Sequence, residues 1–183
     1  MDTVKKYLLC GSQVLLRVPE EGDEILLSEW SRDSEYMRLL MAEPARFLYA
    51  SEQKKWLEHF EKKNAFFMIV YQADQKTIGE IHLSGIDSAA GNAWMSIAIG
   101  ERVYRNKKLG SQAIELFLEH VFKTLDLNRL SLTVFAYNER ALHVYRKAGF
   151  KIEGAEREAI FRDGRRWDIV YLGILKSEWL NNR

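Results

Sequence analysis

The chain has 183 residues, 47% of them hydrophobic, which is enough for one well-packed domain. Its 27 Lys and Arg residues balance 26 Asp and Glu residues, which argues against a nucleic-acid partner bound through phosphates. The single cysteine, Cys10, cannot form an internal disulfide, and neither Cys nor His shows metal-site spacing, so we expect no metal. No apolar run reaches the roughly 20 residues of a membrane span, and because the apolar stretch Tyr7–Cys10 is short we expect no secretory signal. We therefore expect one domain over residues 1–183, in the cytoplasm and without a membrane partner.

The first half of the chain predicts a strand, two helices and a three-stranded meander. Gln13–Arg17 is predicted as a short strand, and Asp23–Ser31 as a helix followed by a loop at Pro44. Ser51 is placed to cap a second helix. Turn residues then separate three strands, which we expect to pair in antiparallel fashion: Phe66–Gln72, Thr77–Ile86 and Ala93–Ile99.

The second half begins with the strongest helical pattern of the chain, Gly110–Thr124. Its apolar residues fall on one stripe at the helical period: Ile114, Phe117, Leu118, Val121 and Leu125. Leu130–Ala136 is predicted as a strand, and Asn138 is placed to cap a helix that runs to Ala148 and ends at Gly149. A hairpin with its turn at Asp163-Gly164 closes the chain: Phe150–Phe161 and Trp167–Leu175. The order β α α β β β α β α β β indicates one mixed α/β sheet.

The segment Ile97–Ser111 joins a predicted strand to that strongest helix. The N-terminus of a helix after such a loop presents unpaired N–H groups that can hold a pyrophosphate. Four basic residues add charge, and two small ones, Gly110 and Ser111, let the backbone come close: the basic residues are Arg102, Arg105, Lys107 and Lys108. The alternative is a solvated basic loop before an ordinary helix.

A second segment, Asn138–Phe150, follows the next strand, and together the two segments resemble the GNAT N-acetyltransferase superfamily. The first resembles the family motif Gln/Arg-x-x-Gly-x-Gly/Ala, with Arg105 at its start, Gly110 at its end and Lys108 in place of the first glycine. The second resembles Asn-x-x-Ala-x-x-x-Tyr-x-Lys-x-Gly-Phe: Asn138, Ala141, Tyr145, Lys147, Gly149 and Phe150 match. Met37–Pro44 and the closing hairpin resemble the branch that holds spermidine N-acetyltransferases and ribosomal-protein N-terminal acetyltransferases.

The resemblance implies a mixed, mostly antiparallel central sheet flanked by helices, with acetyl-CoA as co-substrate. It places the pantetheine arm against backbone groups near Ile97 and Ile99. The cofactor-binding residues that it implies are Ile97, Ile99, Arg105, Asn106, Lys107, Lys108, Leu109, Gly110, Ser111 and Asn138. Lysine at position 108 has less backbone freedom than the family's glycine, although its ammonium group can offset phosphate charge.

Amine acetylation needs a base for the amine and an acid for the leaving thiolate. Tyr145 matches the family's thiolate-protonating tyrosine; the structural alternative is a half-buried helix aromatic. On the strand Thr77–Ile86, alternation places Glu80 and His82 on one face, where either could take the proton directly or through water. A structural histidine is the alternative there, and Glu101 at the end of the next strand is another candidate base.

The acceptor stays open between a polyamine, a peptide N-terminus and an amino sugar. An acidic group near the first helices would suit a polyamine: Glu20, Glu21, Asp23, Glu24 and Glu43. Four arginines on the last hairpin would instead suit a carboxylate or phosphate: Arg157, Arg162, Arg165 and Arg166. A non-catalytic acyl-CoA-binding module is the alternative function.

The last strand, Trp167–Leu175, is apolar on both faces. As the last strand of the hairpin it is expected at the edge of the sheet, where water would be a poor environment for its apolar faces. We therefore expect a homodimer, with coverage of the strand by the chain itself as the alternative.

Overall fold

The computed structural model describes residues 7–61 and 65–182. Their strands are β1 (Tyr7–Cys10), β2 (Val14–Arg17), β3 (Phe66–Tyr71), β4 (Lys76–Asp87), β5 (Asn92–Ile99), β6 (Arg129–Phe135), β7 (Lys151–Arg162) and β8 (Arg165–Leu175). Their helices are α1 (Asp23–Trp30), α2 (Ser34–Leu40), α3 (Ala50–Glu61), α4 (Leu109–Glu119), α5 (Glu139–Lys147) and α6 (Lys176–Asn181). A 3-10 turn, Arg102–Tyr104, precedes α4, and a π-helical turn, His120–Thr124, follows it.

The strands form one sheet in the order β1-β2-β3-β4-β5-β6-β8-β7. Strands β5 and β6 run parallel, while β1–β2, β2–β3, β3–β4, β6–β8 and β7–β8 are antiparallel. The predicted class, a mixed and mostly antiparallel sheet flanked by helices, is confirmed.

The chain divides into two compact units, and neither is continuous in sequence. One comprises the residues up to His82 together with Ile97–Phe117, and the other comprises Leu83–Ser96 and the residues from Leu118 onward. Strands β4 and β5 each contribute residues to both units. The single domain expected over residues 1–183 stays a prediction.

Strand β3 explains how the first unit is packed. Its residues Phe66–Val70 are all buried, although a strand normally alternates between two faces. The ring of Phe67 packs on Phe117 of α4, with ring centroids 5.8 Å apart. The ring of Phe66 packs on Trp56 and Phe60 of α3, at 5.1 and 5.6 Å. Helices thus cover both faces of the strand, so every position along it is apolar.

Four local features differ from the sequence-based prediction. Helix α2 was not predicted from periodicity; Asp33 caps it by accepting hydrogen bonds from the backbone N–H groups of Glu35 and Tyr36. The predicted cap at Ser51 is wrong, because α3 already begins at Ala50 and Glu52 accepts a hydrogen bond from Tyr49 N instead. Strand β1 and helix α6, at opposite ends of the described chain, also had no sequence-based prediction.

The long helix predicted over Gly110–Thr124 is confirmed, with an altered last turn. Four residues of the predicted stripe are buried, and Leu125 is only half-buried: the four are Ile114, Phe117, Leu118 and Val121. The π-helical turn shifts the register, so that Phe122, outside the predicted stripe, is also fully buried. Its ring packs on Trp179 of α6 at 5.4 Å.

The turns of the second unit agree with the predictions. Asn138 caps α5, since its Oδ1 accepts a hydrogen bond from Ala141 N at 3.2 Å. Gly149 ends this helix with φ 101°, in the left-handed region. Asp163 and Gly164, with φ 54° and 74°, form the hairpin turn between β7 and β8.

The position expected for the last strand is wrong. Strand β8 lies between β6 and β7, so β7 and not β8 forms that edge of the sheet. Pairing with β6 on one side and β7 on the other supplies β8 with neighbours inside the chain. The homodimer stays a prediction, but the edge argument for it fails.

Candidate active site

The β5–α4 loop, residues 100–108, is anchored where it begins. A Cβ atom built on Gly100 would overlap the ring of Trp30, so only glycine fits there. Trp30 Nε1 donates a hydrogen bond to Glu101 Oε1 at 3.2 Å, and Lys76 Nζ lies 2.9 Å from Glu101 Oε2. These contacts show that Glu101 helps to hold the start of the loop in place. Its role as a base stays a prediction.

Arg105 lies inside the loop, with its side chain only 8% exposed. Its Nε donates to the carbonyl of Ile99 at 2.9 Å and its Nη2 to the carbonyl of Gly100 at 2.8 Å. Its Nη1 lies 2.9 Å from Asp33 Oδ2. The guanidinium group therefore ties the loop to β5 and to the start of α2, while its predicted contact with the cofactor stays untested.

The backbone of the loop passes twice through the left-handed region, at Asn106 with φ 64° and at Lys108 with φ 62°. Asparagine tolerates this conformation, but for other non-glycine residues it costs about 1–2 kcal/mol. The family motif has glycine where this chain has Lys108, so the loop keeps the conformation that glycine permits. Lys107 and Lys108 are both exposed.

The start of α4 suits a pyrophosphate. Its first main-chain bond runs from Gln112 N to the Lys108 carbonyl, so the N–H groups of Leu109, Gly110 and Ser111 have no acceptor one turn earlier. A Cβ on Gly110 would meet nothing closer than Ile99 Cγ1 at 3.7 Å, an ordinary contact. The fold itself does not require glycine at position 110, which agrees with close approach of a ligand there.

Helix α5 carries Asn138 at its cap and Tyr145 at the end of its second turn. The ring of Tyr145 is half-buried and packs on Phe150 at 5.9 Å. None of the nine residues of α5 is buried, although its apolar residues share one face. An amphipathic helix normally buries that face. The half-exposed face is therefore available to the apolar part of a ligand.

Glu80 and His82 on β4 form a hydrogen-bonded pair, with His82 Nδ1 2.9 Å from Glu80 Oε2. They share a face, as alternation predicts, and are only 2% and 8% exposed. The bond directs Nδ1 toward the carboxylate and leaves Nε2 as the nitrogen that would exchange a proton. A carboxylate that orients an imidazole in this way is the arrangement of a general base.

Aromatic rings surround the imidazole of His82. The ring of Phe66 stacks on it at 5.1 Å with an interplanar angle of 6°. Trp56 and Phe60 from α3 approach it at 5.1 and 5.0 Å. Packing on three sides fixes the orientation of the ring, as a base aimed at one proton requires.

Tyr36 on α2 lies near the Glu80 carboxylate and was missed from the sequence. Burial, together with the nearby Glu80 carboxylate, raises the pKa of the Tyr36 hydroxyl well above its usual value of 10.0. The phenol therefore stays neutral over the physiological range. Asp33, at the start of the same helix, was also missed; its position one residue before Ser34-Glu35 is a capping signal that could have located α2.

The charged groups proposed to border the acceptor are partly occupied within the fold. Asp23 is buried and binds Arg17 at 2.6 and 2.8 Å, so it does not belong to an exposed acidic rim. In the other unit, Arg162 Nη1 donates to the Tyr137 hydroxyl at 2.6 Å. The guanidinium of Arg165 stacks 3.4 Å above the centre of the Trp167 ring.

Residues 7–61 and 65–182 hold no cluster of three or more His, Cys, Asp or Glu residues suited to a metal ion. Within the same ranges, no helix is long and apolar enough to cross a membrane.

Comparisons with known proteins agree with these features. The family model of the acetyltransferase (GNAT) domain matches residues 13–151. The chain is 28% identical to the spermidine N(1)-acetyltransferase of Escherichia coli K12, over 91% of this chain and 88% of that protein. It is 28% identical to YdaF, a candidate ribosomal N-acetyltransferase of Bacillus subtilis, over 58% of this chain and 57% of that protein.

Among solved structures, the spermidine N-acetyltransferase of Vibrio cholerae in complex with CoA and spermine is similar to this chain. It superposes with a TM-score of 0.83 at 27% identity, covering 93% of this chain and all of that one. Both kinds of enzyme in the branch that Met37–Pro44 and the closing hairpin resemble therefore appear among the relatives.

Proposed function

The chain belongs to the GNAT acetyltransferase family, and we propose that it transfers the acetyl group of acetyl-CoA to a primary amine by direct attack in a ternary complex. It is an acetyltransferase with acetyl-CoA as co-substrate. The observation that carries the choice of an amine acceptor is the Glu80–His82 pair, because an amine that is protonated at neutral pH must lose a proton before it can attack.

His82 takes this proton at Nε2, and Glu80 stabilises the imidazolium that results. Acetyl-CoA supplies an activated acyl group; the amine nitrogen forms a bond to the acyl carbon, and the bond from that carbon to sulfur breaks. Tyr145 then donates its phenolic proton to the departing thiolate, and the second proton that the attacking nitrogen loses on becoming an amide restores the phenol. Lys107, Lys108 and the first N–H groups of α4 hold the phosphates, while Ile97, Ile99 and Asn138 contact the rest of the cofactor.

The acceptor that we propose is a small-molecule amine, with a polyamine first. The similarity to two spermidine N-acetyltransferases along nearly the whole chain supports this order. A peptide N-terminus is the second candidate, supported by the shorter match to YdaF. Thiol release from acetyl-CoA, measured with polyamines, N-terminal peptides and amino sugars in turn, distinguishes them. If none of these amines turned over while CoA bound tightly, the non-catalytic alternative would stand.

The role of His82 is tested by His82→Gln, with His143→Gln on the exposed side of α5 as a matched control. Loss of a general base lowers kcat about 10²- to 10⁴-fold, whereas the control should keep the kcat of the parent. Glu80→Gln is the second variant, because a carboxamide retains a hydrogen bond but no longer stabilises the imidazolium. Circular dichroism checks folding, and full activity in a folded His82→Gln protein would exclude the base role.

The role of Tyr145 is tested by Tyr145→Phe, which keeps the ring against Phe150 and removes only the hydroxyl. An enzyme that uses this acid should lose turnover, while its dissociation constant for CoA stays that of the parent. A pure CoA-binding module should show no functional change at all. Unchanged turnover in this variant would assign the proton to another donor.

We also propose a homodimer, now on the evidence of the edge strand β7. Two large apolar side chains on it are well exposed, Ile152 at 54% and Phe161 at 66%. Light scattering across a dilution series measures the assembly directly. A constant mass near 21.4 kDa would show a monomer and overturn the proposal.

A further inference from the structure

Ion pairs from Asp33 and Glu35 link the β5–α4 loop to helix α2. Asp33 Oδ2 lies 2.9 Å from Arg105 Nη1, and Asp33 Oδ1 lies 3.1 Å from Arg102 Nη2. Asp33 is also the cap of α2. A single carboxylate thus holds the first turn of a helix and two arginines of the loop.

Arg105 carries this connection into the loop, since its other donors bind the carbonyls of Ile99 and Gly100. Its guanidinium also lies 6.0 Å from the centre of the Tyr36 ring. With its charge paired and its side chain 8% exposed, Arg105 is poorly placed to attract a phosphate from solution. Lys107 and Lys108 are exposed and well placed to do so.

We propose that Asp33 is a positioning residue for acetyl-CoA, acting through Arg105, and that the loop divides its work between a buried latch and two exposed lysines. The Asp33–Arg105 latch sets the backbone of residues 106–111 in the shape that receives the phosphates. Lys107 and Lys108 supply the electrostatic attraction. This inference rests on the proposed function, because it assumes that CoA binds at this loop.

The salt dependence of CoA affinity should distinguish the role of the latch from that of the two lysines. Loss of the latch weakens CoA binding by disordering the backbone, and so should leave the salt dependence of the affinity unchanged. Loss of an exposed lysine removes attraction that salt already screens, and so should reduce the salt dependence. An Arg105 side chain that paired directly with phosphate would behave like the lysines.

The experiment measures CoA dissociation constants by calorimetry, from low to moderate salt, for Asp33→Asn, Arg105→Met and the double variant. Asparagine is as good a helix cap as aspartate, so Asp33→Asn keeps α2 capped and removes only the charge. We expect each single variant to raise the dissociation constant about tenfold, since small errors in a preorganised site cost this much. The dissociation constant of the double variant should not exceed that of whichever single variant binds CoA less tightly. Lys107→Gln should reduce the salt dependence.

Glu52→Gln is the matched control, because Glu52 likewise pairs with an arginine at a helix start, at 3.0 Å from Arg46, but contacts no residue of the loop. It should bind CoA as the parent does. In turnover assays, Asp33→Asn should raise the KM for acetyl-CoA and change kcat little. If CoA does not bind the parent protein, the proposed function fails. If the parent binds and the two single effects add in the double variant, or Arg105→Met reduces the salt dependence, the latch is wrong and the proposed function stands.

Discussion

The β5–α4 loop and the turns of the second unit meet the same backbone demand in opposite ways. The chain enters the left-handed region at Gly149 after α5 and at Gly164 in the β7–β8 turn, and both positions carry glycine. It enters the same region at Lys108 in the loop, where glycine would be free of strain and lysine is not. Gly149 and Gly164 follow the local rule, whereas Lys108 breaks it, as Glu158 does in the second unit with φ 54°.

The difference separates residues that serve the fold from residues that serve a ligand. Gly149 and Gly164 are explained by backbone geometry alone. The exposed ammonium group of Lys108 contributes nothing to packing, so a use for its charge would account for the strain that the fold tolerates there. At the start of α4, which follows this loop, position 110 carries glycine although the packing of the fold does not require it.

The largest effect is expected at the base of the loop. Gly100→Ala would push a methyl group into the Trp30 ring, and overpacking of this kind costs about 3 kcal/mol of unfolding free energy. Gly154→Ala on β7 is the control, because a Cβ there meets nothing within 4 Å. Urea unfolding of both variants measures the difference. Equal stability of Gly100→Ala and parent would mean that Trp30 gives way freely.

Gly149→Ala should come next, with a loss of about 1–2 kcal/mol from the left-handed conformation. An added Cβ would also lie 3.1 Å from Ile174 Cδ1, which is a tight contact. Gly164→Ala has the same conformational problem with open space around it, so it isolates the backbone contribution. If thermal or urea unfolding showed a larger loss of stability for Gly164→Ala than for Gly149→Ala, the additional steric cost assigned to Gly149→Ala would be wrong.

Lys108→Gly should act in the opposite direction and raise the unfolding free energy by about 0.5 kcal/mol. Relief of strain contributes about 1–2 kcal/mol, and the greater freedom of glycine in the unfolded chain removes about 0.4–1 kcal/mol of it. Lys107→Gly, at a neighbouring position without a positive φ, should only destabilise. CoA affinity should fall in Lys108→Gly as stability rises. A variant that improved both would show that the lysine charge has no use.

The smallest effect concerns acid stability. Burial opposes ionisation of Asp33, but hydrogen bonds from Arg102 and Arg105 outweigh it and lower the pKa of Asp33 below its usual 3.8. A lowered pKa in the folded state gives stability that is complete above about pH 4 and is lost as pH falls through the folded value. Asp33→Asn should therefore flatten the stability curve below pH 4.

In the second unit, the hydrogen bond from Arg129 likewise lowers the pKa of Glu153. The Glu153 side chain is 41% exposed, against 16% for Asp33, so solvent screens its ion pair more strongly. Glu153→Gln should flatten the acid limb less than Asp33→Asn does. Chemical denaturation at a series of pH values compares them, and the reverse ranking would show that the latch contributes little to stability.

Features set by neighbouring residues could be predicted from the sequence. The cap at Asn138, the left-handed end at Gly149 and the turn at Asp163-Gly164 each depend on a few adjacent positions. Strand alternation likewise predicted that Glu80 and His82 share a face, and their hydrogen bond agrees with this.

Features set by distant residues could not be predicted. The insertion of β8 between β6 and β7 depends on non-local pairing, which no local pattern encodes. Helix α2 is only seven residues long and is stabilised by contacts such as the one between Asp33 and Arg105. Basic residues near a phosphate motif suggest phosphate contacts, and only the structure shows that an internal carboxylate already neutralises Arg105.

The packing of Trp30 against Gly100 places a fluorescent side chain at the start of the loop. Trp30 is 5% exposed, and its indole ring packs where a Cβ of Gly100 would lie. Its N–H donates a hydrogen bond to the side chain of the next residue, Glu101. Indole emission depends on local polarity and hydrogen bonding, so any rearrangement of the loop should change the fluorescence of this residue. Trp30, one of five tryptophans in the chain, is thus an intrinsic optical probe at the base of the segment assigned to its co-substrate, once the other four are replaced.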